Sequence, residues 1–330
     1  MEDFGAFLNP RSPRIHNPNP NVCSVGPPLS PLLPSNPILS EAISTLKKVL
    51  ATVHKKSGAV ATAYSVVYDQ TTLASFGYGE NSDGGAVDGD TIFRVGSVSK
   101  VFTDVWMQEA FEQGLIPSVD AAFSDVVPEF NPMNPWPTNR NITWRQLGSH
   151  TAGLARYSPC IFGRDCNLTL SEACALVDSW VLEFPPGNGL AYSNAGFAFL
   201  GRGLERVFEK PWEKGVSSMM QRLNMTRSAP SGTGASGWQN VALPYGLPGF
   251  SNLGFARPAG SVFSTANDMA KFSSLFFRTN AGVNDTVEQL LDGETIRGMM
   301  NTRVMTNPME VLPDQLLGIT AWGLPWEVYT

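Results

Sequence analysis

The sequence of 330 residues is poor in histidine, in clustered basic residues and in long apolar runs. Its three histidines, His16, His54 and His150, are far apart, and neither Cys-x-x-Cys nor His-Glu-x-x-His occurs, so we expect no metal site. The net charge of −6 argues against a nucleic-acid partner, because phosphate binding requires clustered Lys and Arg. No apolar run reaches the roughly 18–20 residues of a membrane-spanning helix, so no membrane partner is expected. The remaining composition, 42% hydrophobic and 16% charged, is that of a globular protein with one large domain or two smaller ones.

Signals of cellular location conflict. The first twenty residues lack the basic start and continuous apolar stretch of a secretory signal, which favours a cytoplasmic location if this N-terminus is genuine. A secreted glycoprotein whose signal peptide is missing from the sequence is the alternative. It is favoured by three closely spaced cysteines and by Asn-x-Ser/Thr sequons at Asn141, Asn167, Asn224 and Asn284, although about three sequons arise by chance. Cys160 and Cys166 could close a short disulfide loop or be buried free thiols.

The order of patterns along the chain predicts an α/β (α+β) protein. Residues 1–35 are rich in Pro, Asn and Ser and predict a poorly ordered tail. Asn36 and Pro37 then begin an amphipathic helix, and two β-prone runs on either side of residues 70–72 predict a hairpin. An apolar helix is expected from Ser97 to Gln113, with Val98, Val101, Phe102, Val105, Met107 and Phe111 on its buried face and Gly114 as its C-cap.

The middle of the chain differs from both ends. Residues 126–254 contain many Pro, Gly and Asn, show no clear strands, and include one well-defined helix at 196–208. We therefore predict an α/β domain made of residues 36–125 and 255–330, interrupted by a mainly helical inserted domain at 126–254.

Ser97 and Lys100 are the first candidate catalytic residues. Residues three apart on a helix share a face, so the hydroxyl and the amine can lie within hydrogen-bond distance. A serine hydroxyl needs an adjacent base to become a good nucleophile, and a lysine in its neutral form can act as one. Gly96 permits a sharp turn, and the N–H of Ser97 at a helix start suits an oxyanion. The other Ser-x-x-Lys, Ser44 and Lys47, lacks a preceding Gly and lies within the first helix, where we interpret it as surface.

Tyr192 and Asn194 form the second candidate element, the only Tyr-x-Asn in the chain. A tyrosine hydroxyl near a lysine can relay a proton from nucleophile to leaving group, and an asparagine amide can hold a substrate carbonyl or amide. The alternative is a buried Tyr beside a turn-forming Asn. No Gly-x-Ser-x-Gly occurs, which argues against a Ser–His–Asp hydrolase, and we interpret His150 as a loop hydrogen-bonder rather than a base.

Taken together, the motifs resemble those of the serine β-lactamase and penicillin-binding-protein superfamily. The similarity extends from about residue 38 to 330 and is greatest to class C β-lactamase-like esterases and peptidases, and among these to secreted fungal β-lactamase-like proteins. It is carried by FRVGSVSKVFT, EQGLIPSVDAAFSDVVPEF, WRQLGSHTAGL, PPGNGLAYSNAGFAFLG and PAGSVFSTANDMAKF.

The resemblance implies a role for each candidate residue. Ser97 would be the acylated nucleophile, Lys100 its activating partner, Tyr192 the general base or proton shuttle, and Asn194 a substrate-binding amide. It also implies an antiparallel sheet flanked by helices, with the site between that domain and the inserted one. No cofactor is implied, and the expected partner is a small-molecule or peptide-like substrate.

One element of the superfamily pattern is missing. A third motif, Lys-Thr-Gly or His-x-Gly, is expected after Asn194, and none occurs in residues 195–330. We therefore expect a chain shortened at its C-terminus. The missing strand would supply a second oxyanion-hole N–H, whose loss costs about a hundred- to a thousand-fold in rate, so we expect weak or absent turnover.

Three functions fit the sequence. The first is hydrolysis of an amide or ester through an acyl-serine, and the second is transfer of that acyl group to an alcohol or amine in secondary metabolism. The third is a non-catalytic homologue that retains only the cleft. The sequence does not choose among β-lactam, D-peptide and ester substrates, and it leaves the oligomeric state open.

Overall fold

A computed structural model describes residues 36–68, 70–137, 141–157, 166–230, 237–242, 253–277, 289–301, 304–305, 319–322, 324–325 and 327–329 of the chain. The predicted tail at 1–35 and the sequon at Asn284 lie outside these residues. The helices are α1 (Pro37–Ser57), α2 (Ser99–Glu112), α3 (Trp144–Gly148), α4 (Leu170–Val177), α5 (Asn194–Phe208), α6 (Trp212–Arg222), α7 (Ala266–Phe277) and α8 (Gly293–Met300). The strands are β1 (Ala61–Tyr68), β2 (Thr71–Gly79), β3 (Phe93–Arg94), β4 (Ala229–Pro230), β5 (Val262–Ser264), β6 (Val304–Met305), β7 (Ile319–Trp322) and β8 (Glu327–Tyr329).

The first helix and hairpin follow the sequence signals. The side chain of Asn36 accepts hydrogen bonds from the N–H groups of Ile38 and Leu39, Pro37 occupies the first turn, and Gly58 ends α1 in the left-handed conformation. Strands β1 and β2 pair antiparallel, and Tyr68 lies opposite Thr71. The connection is therefore shorter than the predicted residues 70–72, because Thr71 and Thr72 already belong to β2.

The described strands form three small antiparallel sheets, β1–β2, β3–β5–β4 and β6–β7–β8. The predicted mixed α/β class with antiparallel strands is confirmed. Strand β4 lies within residues 126–254, where no clear strand was expected, and it pairs with β5 from the later part of the chain. Two residues are too few to show the alternating pattern by which a strand is recognised in sequence.

Helix α2 is the centre of the packing. Each of its residues from 99 to 110 is buried, so neighbouring elements cover it on all sides. Phe102 stacks on Phe272 of α7, and Trp106 stacks on Phe208 of α5. The predicted apolar face is buried except at its two ends, because Val98 lies in the turn before the helix and Phe111 in its last turn, where they are 43% and 40% exposed. Glu112 is the last helical residue, and Gly114 follows two residues later with a φ of 68°.

Close helix packing also depends on glycine. A Cβ on Gly203 of α5 would lie 2.3 Å from the ring of Phe123, and one on Gly215 of α6 would lie 2.4 Å from Trp106. The absence of side chains at these positions lets aromatic rings pack against the helix backbones. Among the residues described above, no helix combines the length and apolar character needed to cross a membrane.

Candidate active site

Ser97 lies where a strand leads into the central helix. A 3-10 turn, Gly96–Val98, connects β3 to α2, and Gly96 adopts the left-handed conformation with a φ of 55°. The Ser99 hydroxyl donates to the Gly96 carbonyl over 2.6 Å and accepts from the N–H of Val262 over 2.9 Å, which joins this turn to β5. The turn leaves Ser97 exposed while Lys100, one helical turn later, is only 3% exposed. A solvent-accessible hydroxyl therefore lies directly above a buried amine.

Lys100 has three acceptors around its amine. Lys100 Nζ donates to Ser97 Oγ over 3.2 Å, to Asn194 Oδ1 over 2.8 Å and to the carbonyl of Ala259 over 2.7 Å. Three acceptors match the three protons of an ammonium group, so this arrangement satisfies a buried charged lysine. The Lys100 ammonium can only donate hydrogen bonds, so the Asn194 atom that faces it is the amide oxygen. The NH₂ group of the Asn194 side chain therefore remains available for a substrate carbonyl.

Tyr192 completes the cluster from the loop before α5. Its hydroxyl donates to Ser97 Oγ over 2.7 Å, and the Lys100 amine lies 4.9 Å from its ring centroid. Ser193 caps α5 by accepting from the N–H of Gly196, and this cap fixes the direction in which the chain leaves Tyr192. The structure thus brings together Ser97, Lys100, Tyr192 and Asn194, all four residues predicted to form the site.

His150 supports the tyrosine from behind. Its ring stacks on that of Tyr192 with centroids 4.4 Å apart, and its Nδ1 accepts from the N–H of Ser193 over 3.0 Å. Burial, with smaller contributions from the positive charges of Lys100 and Arg156, holds the pKa of His150 well below its usual value. The imidazole is therefore neutral at physiological pH and acts as the loop hydrogen-bonder that the sequence predicts. A second hydrogen bond joins the same two segments, because the N–H of Ala191, the residue before Tyr192, donates to the His150 carbonyl.

Asp104, which the sequence analysis did not consider, lies one turn beyond Lys100 on α2. It is fully buried, and neither carboxyl oxygen has a hydrogen-bond partner among the described residues. Burial raises the pKa of this carboxyl well above its usual range, and the positive charge of Lys100 opposes that effect only in part. Burial therefore favours the protonated form of this carboxyl. In the sequence, Asp104 could have been noticed as an acidic residue four positions after Lys100, on the same helix.

The carbonyl of Ala259 is a second contribution that sequence reasoning missed. It lies at the end of the 3-10 helix Gly254–Ala259, which packs along α5 and precedes β5. The next carbonyl upstream, that of Pro258, accepts from the Thr103 hydroxyl over 2.9 Å and so holds this segment against α2. A main-chain carbonyl cannot be recognised from residue type. The stretch PAGSV that contains it is nevertheless part of one of the motifs that resemble the superfamily.

The cysteines do not contribute a nucleophile to the described site. Cys166 is disulfide-bonded, to a partner outside the described residues, and Cys174 is free and buried. Burial raises the pKa of the Cys174 thiol to about 12, which keeps it protonated and unreactive. Across the described part of the chain, no group of His, Cys, Asp and Glu side chains could hold a metal ion.

Solved structures share this fold. The chain superposes on an octameric penicillin-binding protein homologue from Pyrococcus abyssi with a TM-score of 0.66 and 19% identity, covering 84% of this chain and 63% of that one. It superposes on a class C β-lactamase with a TM-score of 0.63 and 21% identity, covering 73% of this chain and 66% of that one. EstCE1, described as a hydrolase with promiscuous acyltransferase activity, gives 0.64 at 19% identity, with coverages of 81% and 79%. The class that emerges is the β-lactamase and penicillin-binding-protein-like serine hydrolase fold.

Sequence relatives define the family. The family model described as Beta-lactamase matches residues 46–330, so the chain belongs to the Beta-lactamase family. Beta-lactamase-like protein 2 of Dictyostelium discoideum is 28% identical over 313 residues, with coverages of 89% of this chain and 54% of that protein. Penicillin-binding protein 4 of Amycolatopsis lactamdurans is 28% identical over 298 residues, with coverages of 85% and 73%. The chain spans about half the length of the first curated relatives it matches.

Proposed function

We propose that the protein hydrolyses an amide or ester through an acyl group carried on Ser97. The observation that supports this most directly is the pair of contacts on one exposed hydroxyl, 2.7 Å to the Tyr192 phenol and 3.2 Å to the Lys100 amine. The phenol can accept the proton of this hydroxyl, and the ammonium stabilises the negative charge that develops on its oxygen. The start of the helix supplies a nearby main-chain N–H donor. Membership of the Beta-lactamase family supports the same chemistry.

The reaction begins with proton transfer from Ser97. Hydrogen positions on two hydroxyls are interchangeable, so the phenol can either donate to Ser97 Oγ or, as phenolate, accept its proton. The nearby Lys100 and Arg156 cations favour the phenolate, and Lys100, whose three protons are all engaged, is suited to hold charge rather than to accept a proton. Tyr192 is therefore our general base, and Lys100 orients and stabilises the oxygen that attacks.

Bond formation and cleavage then follow in two halves. Ser97 Oγ attacks the carbonyl carbon, the resulting oxyanion lies near the N–H of Ser97, and the C–O or C–N bond to the leaving group breaks as Tyr192 returns the proton to it. In the second half a water gives its proton to Tyr192, attacks the acyl carbon and releases the acid, and Ser97 recovers its proton. The amide NH₂ of Asn194 holds the substrate during both halves.

Transfer of the acyl group to an alcohol or amine is the second candidate. The same acyl-serine serves both reactions, and they differ only in whether water or another nucleophile attacks it. EstCE1, one of the structures with this fold, is described as having promiscuous acyltransferase activity, which favours keeping this candidate.

Turnover of p-nitrophenyl esters and nitrocefin tests the proposal. We expect hydrolysis by the wild type and none by Ser97→Ala, which lacks the hydroxyl that carries the acyl group. Added methanol or an amine diverts product to the transesterified or amidated form if acyl transfer operates. Equal hydrolysis by the wild type and Ser97→Ala would contradict the proposal.

We also propose the finer assignments made from the sequence. The inserted domain at 126–254 is supported by α3, α4, α5 and α6 lying within it, and limited proteolysis at its borders tests it. A secreted glycoprotein is supported by the exposure of Asn141, Asn167 and Asn224, and a mass decrease on deglycosylation of the natively expressed protein tests it.

A further inference from the structure

Arg156 lies beside the candidate base and is tied to the candidate substrate-binding residue. Its guanidinium carbon is 4.9 Å from the ring centroid of Tyr192 and 5.3 Å from that of Tyr157, and its Nε donates to the Tyr157 hydroxyl over 3.0 Å. Its carbonyl accepts from the N–H of Asn194 over 3.0 Å. Two aromatic rings and one hydrogen bond therefore hold an exposed cation beside the Tyr192 ring, whose hydroxyl contacts Ser97.

Five other arginines in the described part of the chain are paired with a carboxylate, and Arg156 is not. Arg145, Arg202, Arg206, Arg222 and Arg257 each form an ion pair with an Asp or Glu. No carboxylate of the described residues pairs with Arg156. A guanidinium presents five N–H donors in a planar fork, and one of them is used by Tyr157. The remaining edge matches the geometry of a carboxylate, which it can bind through two parallel hydrogen bonds.

The local charge also favours an anion. Lys100 and Arg156 both lie within 4.9 Å of the Tyr192 ring centroid, on a protein whose overall charge is negative. The mouth of the site is therefore locally positive, which attracts a negatively charged substrate and repels a cationic one.

We propose that Arg156 is a specificity-determining residue that binds a carboxylate on the acyl part of the substrate, the part that stays on Ser97. The acyl side is chosen because the Arg156 carbonyl accepts from the main-chain N–H of Asn194, and the side-chain NH₂ of Asn194 is proposed to hold the substrate through both halves, in the second of which only the acyl part remains. Only the assignment of this carboxylate to the acyl group rests on the proposed function. The existence of a carboxylate site at Arg156 does not depend on it.

Two esters that differ in one carboxylate test the proposal. The mono-p-nitrophenyl ester of adipic acid carries a free carboxylate, and p-nitrophenyl hexanoate has the same chain length without it. We expect kcat/KM to favour the adipate ester by about tenfold to a hundredfold, the range for hydrogen bonds to a charged group. Arg156→Gln abolishes this ratio, and Arg156→Lys keeps part of it because an ammonium is charged but lacks the fork.

Arg297→Gln, which removes an exposed arginine from α8, is the matched control and keeps the wild-type ratio. An unchanged ratio in Arg156→Gln would overturn the proposal.

A binding measurement separates this proposal from the proposed function. Adipate, hexanoate and inorganic phosphate are titrated into Ser97→Ala and into Ser97→Ala with Arg156→Gln, and each dissociation constant is measured by NMR. We expect adipate to bind the first protein about tenfold more tightly than the second, and more tightly than hexanoate or phosphate. Equal adipate affinities, or a preference for phosphate, would overturn the carboxylate site. Arg156-dependent adipate binding without ester turnover would uphold the site and reject the hydrolase.

Discussion

The phenol ring of Tyr192 packs against the imidazole of His150 and lies near the cations of Lys100 and Arg156, and its hydroxyl donates to Ser97 Oγ. We expect Tyr192→Phe to keep the ring packing on His150 and to slow acylation of Ser97 by about a hundred- to ten-thousand-fold, the usual contribution of a positioned acid–base group. Stopped-flow measurement of p-nitrophenol release under single-turnover conditions gives this rate.

A second tyrosine supplies the control. The hydroxyl of Tyr78 donates to the carbonyl of Lys47, in the hairpin and first helix, so Tyr78→Phe removes a hydroxyl that the account assigns no chemical role. Acylation at the wild-type rate in Tyr192→Phe would reject the phenol as base.

Single residues of the site could be predicted where a residue type and a spacing coincide. Ser97, Lys100, Tyr192 and Asn194 are each part of a short motif, and the structure places them in one hydrogen-bonded cluster. The Ala259 carbonyl and the buried position of Asp104 could not be predicted in this way. Their roles arise from contacts between segments that are distant in sequence, and one of them is a main-chain atom.

The segment Gly254–Ala259 depends on a glycine in the helix it packs against. A Cβ on Gly201 of α5 would lie 2.4 Å from Pro258, next to the carbonyl that Lys100 uses. We expect Gly201→Ala to lower the free energy of unfolding by about 1–3 kcal/mol, as overpacking does, and to slow acylation because Ala259 is displaced.

Gly196→Ala, in the same helix, is the matched control for that substitution. Its Cβ would meet nothing closer than 3.4 Å, so we expect a change within about 1 kcal/mol of the wild type and normally in the stabilising direction, because Ala favours a helix more than Gly. Urea denaturation measures both variants. Equal stabilities of Gly201→Ala and Gly196→Ala would contradict the packing account.

Long periodic elements could be predicted, and short ones could not. The stripe of apolar residues and the Asn-Pro cap predict α1, and the apolar run after Ser97 predicts α2. Strands β4 and β5 have two and three residues, so they form through pairing with β3 and with each other rather than through a local pattern.

The buried acid Asp104 makes the free energy of unfolding of the whole molecule depend on pH. Because its pKa is raised in the folded state, the unfolded chain ionises first, above about pH 3.9, and the folded state then binds more protons. The contribution of Asp104 to stability is therefore greatest at acid pH and is lost as pH rises toward the folded pKa. We expect Asp104→Asn to gain stability relative to the wild type as pH rises from 4 to 8, because the asparagine does not ionise.

Urea denaturation between pH 4 and 8 tests this, and the difference between the two proteins should grow with pH. His150 works in the opposite direction, since its lowered pKa costs stability as pH falls below about 6.5, but both proteins share that effect. Asp125→Asn, at an exposed carboxyl, is the control and should show a smaller difference. A pH-independent difference for Asp104→Asn would contradict the burial of an ionisable acid.

The mixed α/β class with antiparallel strands could be predicted for the whole molecule, because strand-like and helix-like runs alternate at both ends of the chain and helices fill its middle. The small sheets and the burial of α2 on all sides could not, because they depend on which segments meet. The division into an α/β domain and an inserted domain stays a prediction.

Covalent modification of the intact protein tests the central claim most directly. The protein is incubated with a penicillin or a fluorophosphonate, and its mass and modified peptide are determined by mass spectrometry. The account predicts one adduct per chain, located on Ser97, absent from Ser97→Ala and formed much more slowly in Tyr192→Phe. A protein that stays unmodified by both reagents, or an adduct that persists in Ser97→Ala, would contradict it.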